Sequence, residues 1–170
     1  QVHQNQQTEI DFISKIQDSV MATISHYTIP FDSAGNVHCY YINRKGLCFD
    51  RALLLEKFCQ LAGFQIRHIY IYFNNKGERP TRSDFFNVGL TSHAMFEVKT
   101  KKGWMAVGTN SNWLAEDENG SPLTLGEIRK RLTDNTLQIR KEATFGIPFF
   151  RKLKKADAFR FVYGVYSRHG

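Results

Sequence analysis

The chain has 170 residues, a net charge of +7 and 42% apolar residues, proportions that suit one folded domain with a real core. No run of about 18 apolar residues occurs, which excludes a membrane-spanning helix. The positive charge favours acidic substrates or an anionic surface, but no zinc, RNA-recognition or helix-turn-helix signature accompanies it, so nucleic acid is not an expected partner. The chain starts at Gln1 without Met and shows no signal peptide, which fits an extracytoplasmic chain whose leader or native N-terminus has been removed.

Residues 1–7 are polar and are expected to be disordered. From Thr8, the apolar residues Ile10, Ile13, Ile16, Val20 and Ile24 recur at three- and four-residue steps and predict an amphipathic helix ending near His26. Turn residues follow in Ile29–Asn36, and Val37–Ile42 reads as a short strand or extended lead-in. A second helix is predicted from Cys48 to about Ala62, with Cys48, Ala52, Leu55 and Cys59 on one face and Gly63 as its stop. Apolar residues nearly all round it predict a buried helix. Ile66–Phe73, rich in Ile and Tyr, reads as a strand. Residues 74–92 form a long irregular stretch that ends at His93, where a lid or a decorated surface loop both fit. Met95–Lys99 and Trp104–Thr109 read as an antiparallel hairpin. Thr124 to Glu127 is a capping box that opens a short helix through Leu132. Phe145–Lys152 is aromatic and basic, and Phe159–Tyr166 is a final strand.

The three cysteines, Cys39, Cys48 and Cys59, are an odd number, so one thiol is free in a monomer. Their spacing excludes the common zinc patterns, and no metal or cofactor is expected. Cys59 lies eleven residues after Cys48, about 16 Å along a helix, too far for a disulfide. Cys48 follows Gly46-Leu47 at a helix start. There the unpaired amides and the helix dipole favour a thiolate, so its pKa is expected to be lowered. A thiolate used for acyl chemistry needs a base and an orienter. His93, in His93-Ala94-Met95-Phe96-Glu97-Val98, is the candidate base, and His68 is a weaker rival. The bland alternative is a buried structural cysteine and an unrelated histidine.

Four pieces in order resemble the core of the transglutaminase-like superfamily of cysteine enzymes. They are Gly46-Leu47-Cys48, Leu61-Ala62-Gly63-Phe64-Gln65-Ile66-Arg67, His93 to Val98, and Gly103-Trp104-Met105-Ala106-Val107. They span roughly residues 44–113. The resemblance implies an α+β fold in which a buried helix carrying Cys48 packs on an antiparallel sheet carrying His93. It also implies that the lead-in to the thiol furnishes an oxyanion donor, for which Tyr40 and Tyr41 are the candidates. Glu97 is expected either beside His93 or as an ion-pair partner of Arg67.

The family's third catalytic residue is usually Asp, just after the Trp strand, and that position is Gly108 here. Strand alternation puts Trp104, Ala106, Gly108 and Asn110 on one face, which makes Asn110 the nearest orienter. Cys-His-Asn is a workable arrangement in papain-like enzymes. Asn112 and Asp117 are the fallbacks. The expected activity is thiol-dependent acyl transfer on a peptide, protein or other amide, with water as acceptor in a peptidase or amidase. A crosslinking transglutaminase and an arylamine N-acetyltransferase-like enzyme remain alternatives, the latter because Arg44-Lys45-Gly46-Leu47-Cys48-Phe49-Asp50 is similar to that family's motif. A domain that kept the fold and became a binding module is the non-catalytic alternative.

Overall fold

A computed structural model describes residues 6–26, 36–74, 80–81, 83–86, 90–138 and 159–164. Four α-helices, one 3-10 turn (Ser83–Phe86) and six strands lie in these residues: α1 (Gln6–Thr23), β1 (Ser25–His26), α2 (Val37–Asn43), β2 (Lys45–Gly46), α3 (Cys48–Leu61), β3 (Ile66–Asn74), β4 (Leu90–Thr100), β5 (Gly103–Val107), α4 (Leu125–Thr133) and β6 (Phe159–Tyr163). The architecture is α+β. The main sheet is antiparallel with the order β5-β4-β3-β6, and β1 and β2 form a small parallel pair of their own.

Alternation in β3 and β4 sorts the side chains onto two faces. Ala52 of α3, with Cys48 and Phe49 beside it, packs against Tyr70, Tyr72 and Ala94. On that same face the α3 carboxylate of Glu56 bonds the ring of His68, and both are buried. The opposite face carries Arg67, Ile69, His93, Met95 and Glu97. α4 covers part of it, because the Leu125 amide donates to Glu97 at 2.7 Å and the Arg129 guanidinium lies over the Phe161 ring. The outer edge of β5 is not left open. Ala106 donates to the Leu123 carbonyl and accepts from the Ala115 amide, so residues 113–123 occupy that edge.

Several elements differ from the sequence expectation. Helix α1 includes Gln6 and Gln7, which were expected to be disordered, while residues 1–5 lie outside the described residues. Val37–Asn43 is a helix and not an extended lead-in. The Asn36 side chain accounts for this, since its oxygen accepts the His38 and Cys39 amides at 3.1 and 3.3 Å and so caps the first turn. Helix α3 is not apolar all round, because Asp50, Arg51 and Glu56 are buried in it while Leu61 is 84% exposed. Strand β4 begins at Leu90, three residues before His93, which pairs with Ile71. Nine of the nineteen residues of the candidate lid, and all of Phe145–Lys152, lie outside the described residues, while Ser83–Phe86 within the lid form a 3-10 turn. The capping box at Thr124 forms as expected, with the hydroxyl accepting from the Glu127 amide and the Glu127 carboxylate accepting from the Thr124 amide.

Candidate active site

The Cys48 helix is joined tightly to the chain before it. A β-carbon on Gly46 would lie 2.8 Å from Asp50 Cβ and 3.3 Å from Ile24 Cγ2, so only glycine lets β2 pass this close to α3. Asp50 is fully buried and accepts the Leu47 amide at 2.9 Å, which tethers the helix start. Next to it, Arg51 donates through Nε and Nη2 to the Ile24 carbonyl at 3.0 and 2.6 Å. The residues after Ile24 are held to the same place. Ser25 donates its amide and its hydroxyl to the Arg44 carbonyl, both at 2.9 Å, and His26 pairs with Gly46. His26 is therefore fixed two residues from the nucleophile position, exposed to solvent.

The Cys48 thiol is half-buried at the first position of α3. A thiolate there would accept from the amides of Ala94, Phe49 and Cys48 itself. Ala94 immediately follows His93, so the sulfur meets the backbone next to the candidate base, while strand alternation turns the His93 side chain to the other face of β4 from Ala94. Its place on the strand is defined further by Thr109, whose buried hydroxyl donates to the Ala94 carbonyl at 2.5 Å. A strand residue presents its N–H and C=O to the same side. Cys48 and Thr109 thus both meet β4 along the edge that faces β5, past the point where β5 ends.

The electrostatics differ from those expected of a helix-start cysteine. Burial dominates and pushes the Cys48 thiol above its usual pKa, Asp50 adds to the rise, and the three amides offset only part of it. The expected lowering is therefore corrected: desolvation of the anion outweighs the helix terminus. His93 is displaced the other way, down to about 4, first by burial and then by repulsion from His26. At neutral pH the pair is a protonated thiol and a neutral imidazole able to accept a proton.

Gly108 sits in a crowded turn. Its amide donates to the Trp113 carbonyl and its carbonyl accepts from Gln17 Nε2, both at 2.8 Å, and a β-carbon would lie 2.9 Å from the Ser111 carbonyl oxygen. A tight turn occupies the place where the family keeps its acid. The regular alternation drawn from Trp104 to Asn110 is broken there, because β5 ends at Val107. The last ladder pair is Phe96 with Val107, and three residues beyond it on each side are His93 and Asn110. Asn110 is exposed. Asn112 bonds Asp18 instead, and Asp117 is occupied by the amides of Asn119 and Ser121 and by Arg131. His68, the rival base, is buried and bonded to Glu56 on α3.

The remaining candidates fall elsewhere. Tyr40 is buried on α2, and Tyr41 is 60% exposed on the same helix. The phenol held up by a Cys48 thiolate is that of Tyr70, whose pKa is raised by burial first and by this charge second. Glu97 is not beside the thiol. It is fully buried, ion-paired with Arg67 and bonded to the Leu125 amide, so it joins the sheet to α4. Arg67 in turn lies over the Trp104 and Tyr163 rings. Among the described residues no group of three His, Cys, Asp or Glu side chains could hold a metal ion.

A family model described as "Transglutaminase-like superfamily" matches residues 1–109, more than half of the chain. The chain belongs to the transglutaminase-like superfamily. Members of this superfamily are in general cysteine-dependent acyl-transfer or hydrolytic enzymes. Comparison with curated proteins and with solved structures gave no match. The superfamily match ends at Thr109, the residue that bonds Ala94, and includes the Gly46-Leu47-Cys48 start of α3 and the whole β4–β5 hairpin. Within this transglutaminase-like core, sequence reasoning did not pick out Arg51, His26, Tyr70 or Thr109. Arg51 did carry a signal, a cation inside an apolar helical run. The other three are placed by contacts between distant segments, which no local pattern encodes.

Proposed function

We propose that this protein is a thiol-dependent amidase or peptidase in which Cys48 is the nucleophile, His93 the general base and acid, and Asn110 the orienter. The observation that carries this reading is the seat of the Cys48 thiol at the start of α3, against the amide that follows His93. In this reading the His93 ring reaches the sulfur around the edge of β4 beyond the end of β5, and the substrate carbonyl approaches along the same edge. Asn110 is supported by the β4–β5 register, which runs on far enough for Thr109 to bond Ala94.

The reaction begins from the neutral pair. As Cys48 Sγ attacks the substrate carbonyl, its proton passes to His93, and the carbonyl oxygen takes up the negative charge. The amides of Cys48 and Phe49 at the helix start are donors for that oxyanion. Collapse of the tetrahedral intermediate breaks the C–N bond, and His93 returns the proton to the leaving amine. A thioester on Cys48 remains. Water then attacks it with His93 as base, releasing the carboxylic acid and restoring the thiol. The raised thiol pKa suits this order, because thiolate forms only as the proton is taken.

Water is the proposed acceptor because it is always present. The net charge of +7 favours acidic peptides or proteins as substrates. Amine release from a panel of peptide amides, measured with and without an added primary amine, tests the reading. Release without added amine, lost in Cys48→Ala and His93→Ala, supports a hydrolase. Release only with the added amine supports the transglutaminase alternative. No release from any peptide amide, with the fold intact, favours a binding module.

A further inference from the structure

Arg51 is 6% exposed and, among the described residues, is the one buried Lys or Arg. A buried guanidinium is costly unless a charge or a set of acceptors answers it. Its hydrogen bonds are the two to the Ile24 carbonyl, which is a dipole and not a charge. Among the described residues no carboxylate lies within ion-pair distance of it. Arg51 stands three residues after Cys48, on the neighbouring position of the next turn. Helical side chains lean toward the N-terminus, so this one extends toward the turn that holds the thiol.

We propose that Arg51 is a positioning residue for the acyl-transfer site: its buried guanidinium, held by the Ile24 carbonyl one turn behind Cys48, supplies the positive charge that makes a Cys48 thiolate attainable. The inference rests on Cys48 being the nucleophile, but concerns the ionisation of the thiol and not the substrate. Among the described residues, the other groups around the sulfur do not supply this charge. Asp50 on the same helix opposes a thiolate. Tyr70 on β3 and His93 on β4 are neutral at pH 7, the first because its pKa is raised and the second because its own is lowered. His26 on β1, Arg44 after α2 and Lys45 on β2 are exposed, where water screens them. In return, a Cys48 thiolate favours the charged form of Arg51, against a burial that disfavours it more strongly. The same two hydrogen bonds hold Ile24, and with it His26, beside the site.

The test is the pH dependence of iodoacetamide alkylation at Cys48, read by mass mapping of the Cys48 peptide in the intact protein. No substrate is involved, so the result stands whether or not Cys48 turns over amides. Arg51→Gln removes the charge but keeps an N–H donor for the Ile24 carbonyl. Its profile should move to higher pH by about one unit, with the rate on the rising limb falling about tenfold. Arg51→Lys keeps the charge and should stay within about threefold of the parent rate. A folded Arg51→Gln protein with the parent profile overturns the proposal. If Arg51→Gln does not fold, the lysine variant decides alone: a profile superimposed on the parent supports the charge role, and one displaced by a full unit overturns it. Failure here would leave Cys48 as the nucleophile, whereas loss of acyl transfer in Cys48→Ala is read in a separate assay.

Discussion

The Thr109 hydroxyl donates to the Ala94 carbonyl at 2.5 Å, two residues beyond the last pair of the β4–β5 ladder on each strand. A side chain thus continues what the backbone ladder stops doing. Ala94 keeps its amide free of β5, and the Cys48 sulfur takes that position. Loss of the hydroxyl would leave a buried carbonyl unsatisfied beside the site. Thr109→Val should cost about 1–3 kcal/mol of stability, measured by urea unfolding, and should lower amide turnover as the Ala94 amide loses its fixed place. Unchanged stability would mean that water replaces the hydroxyl.

Stability should fall with acid because of His93. Its pKa is about 4 in the fold, against an ordinary 6.5 in the unfolded chain. Between these values the unfolded chain binds the proton and the folded one does not, so stability rises with pH through this window and is lost on going down from 6.5 to 4. Below the folded pKa both states are protonated and the contribution is flat. His93→Gln should shrink the slope, as read by thermal unfolding at pH 4, 5, 6 and 7. An identical slope in the variant would place the titration elsewhere.

Thiol reactivity should follow burial. Cys59 is fully buried, and its pKa is pushed up to about 12, while Cys48 is half-buried and raised by a smaller amount. Limited alkylation should therefore label Cys48 before Cys59, and slowly near neutral pH, with the rate climbing into the alkaline range. Rapid labelling of Cys48 at pH 7 would show a preformed thiolate.

Restoring the family's carboxylate with Gly108→Asp should not raise activity. The added Cβ would meet the Ser111 carbonyl oxygen at 2.9 Å and Trp113 Cβ at 3.3 Å, neither of which is the end of a flexible side chain. Gly108→Ala and Gly108→Asp should both destabilise by about 1–3 kcal/mol, seen as a lowered urea midpoint. Higher turnover in Gly108→Asp would show that the turn relaxes enough to place a carboxylate at His93.

Glu97 should matter to the fold more than to the chemistry. It is fully buried, pairs with Arg67 and accepts the Leu125 amide, so Glu97→Ala strands a cation and an amide together. Arg67 keeps about a third of its side chain in water, so the loss is chiefly that of the buried acceptor of the Leu125 amide, about 1–3 kcal/mol. Thermal unfolding should show a drop of that size, and a fall below about 1 kcal/mol would mean that Arg67 is held by its aromatic neighbours alone.

What could be read from the sequence was what repeats locally. The periodic isoleucines of α1, the apolar run after Cys48, the Ile-Tyr alternation of β3 and the Thr124–Glu127 cap each encode an element within one window, and each forms. The failures have equally specific causes. Val37–Ile42 carries β-branched and aromatic residues that read as a strand, yet the Asn36 side chain caps it as a helix. The crowding at Gly108 is equally out of reach of the sequence, because position alone cannot report the Ser111 and Trp113 atoms beside it or the Gln17 side chain that bonds its carbonyl. The thiol pKa was misjudged because a helix terminus is visible in sequence, whereas the desolvation that overrides it depends on the packing of Phe49, Tyr70 and Ala94.

The most direct measurement is the mass of an acyl-enzyme. The protein would be incubated with an activated acyl ester, quenched in acid, and digested for peptide mapping. The adduct should sit on Cys48, be discharged by hydroxylamine as a thioester is, be absent in Cys48→Ala, and form at least about 100-fold more slowly in His93→Ala, in line with the usual worth of a general base. An adduct that persists in Cys48→Ala, or that forms at the parent rate in His93→Ala, would contradict the assignment of Cys48 as nucleophile and His93 as its base.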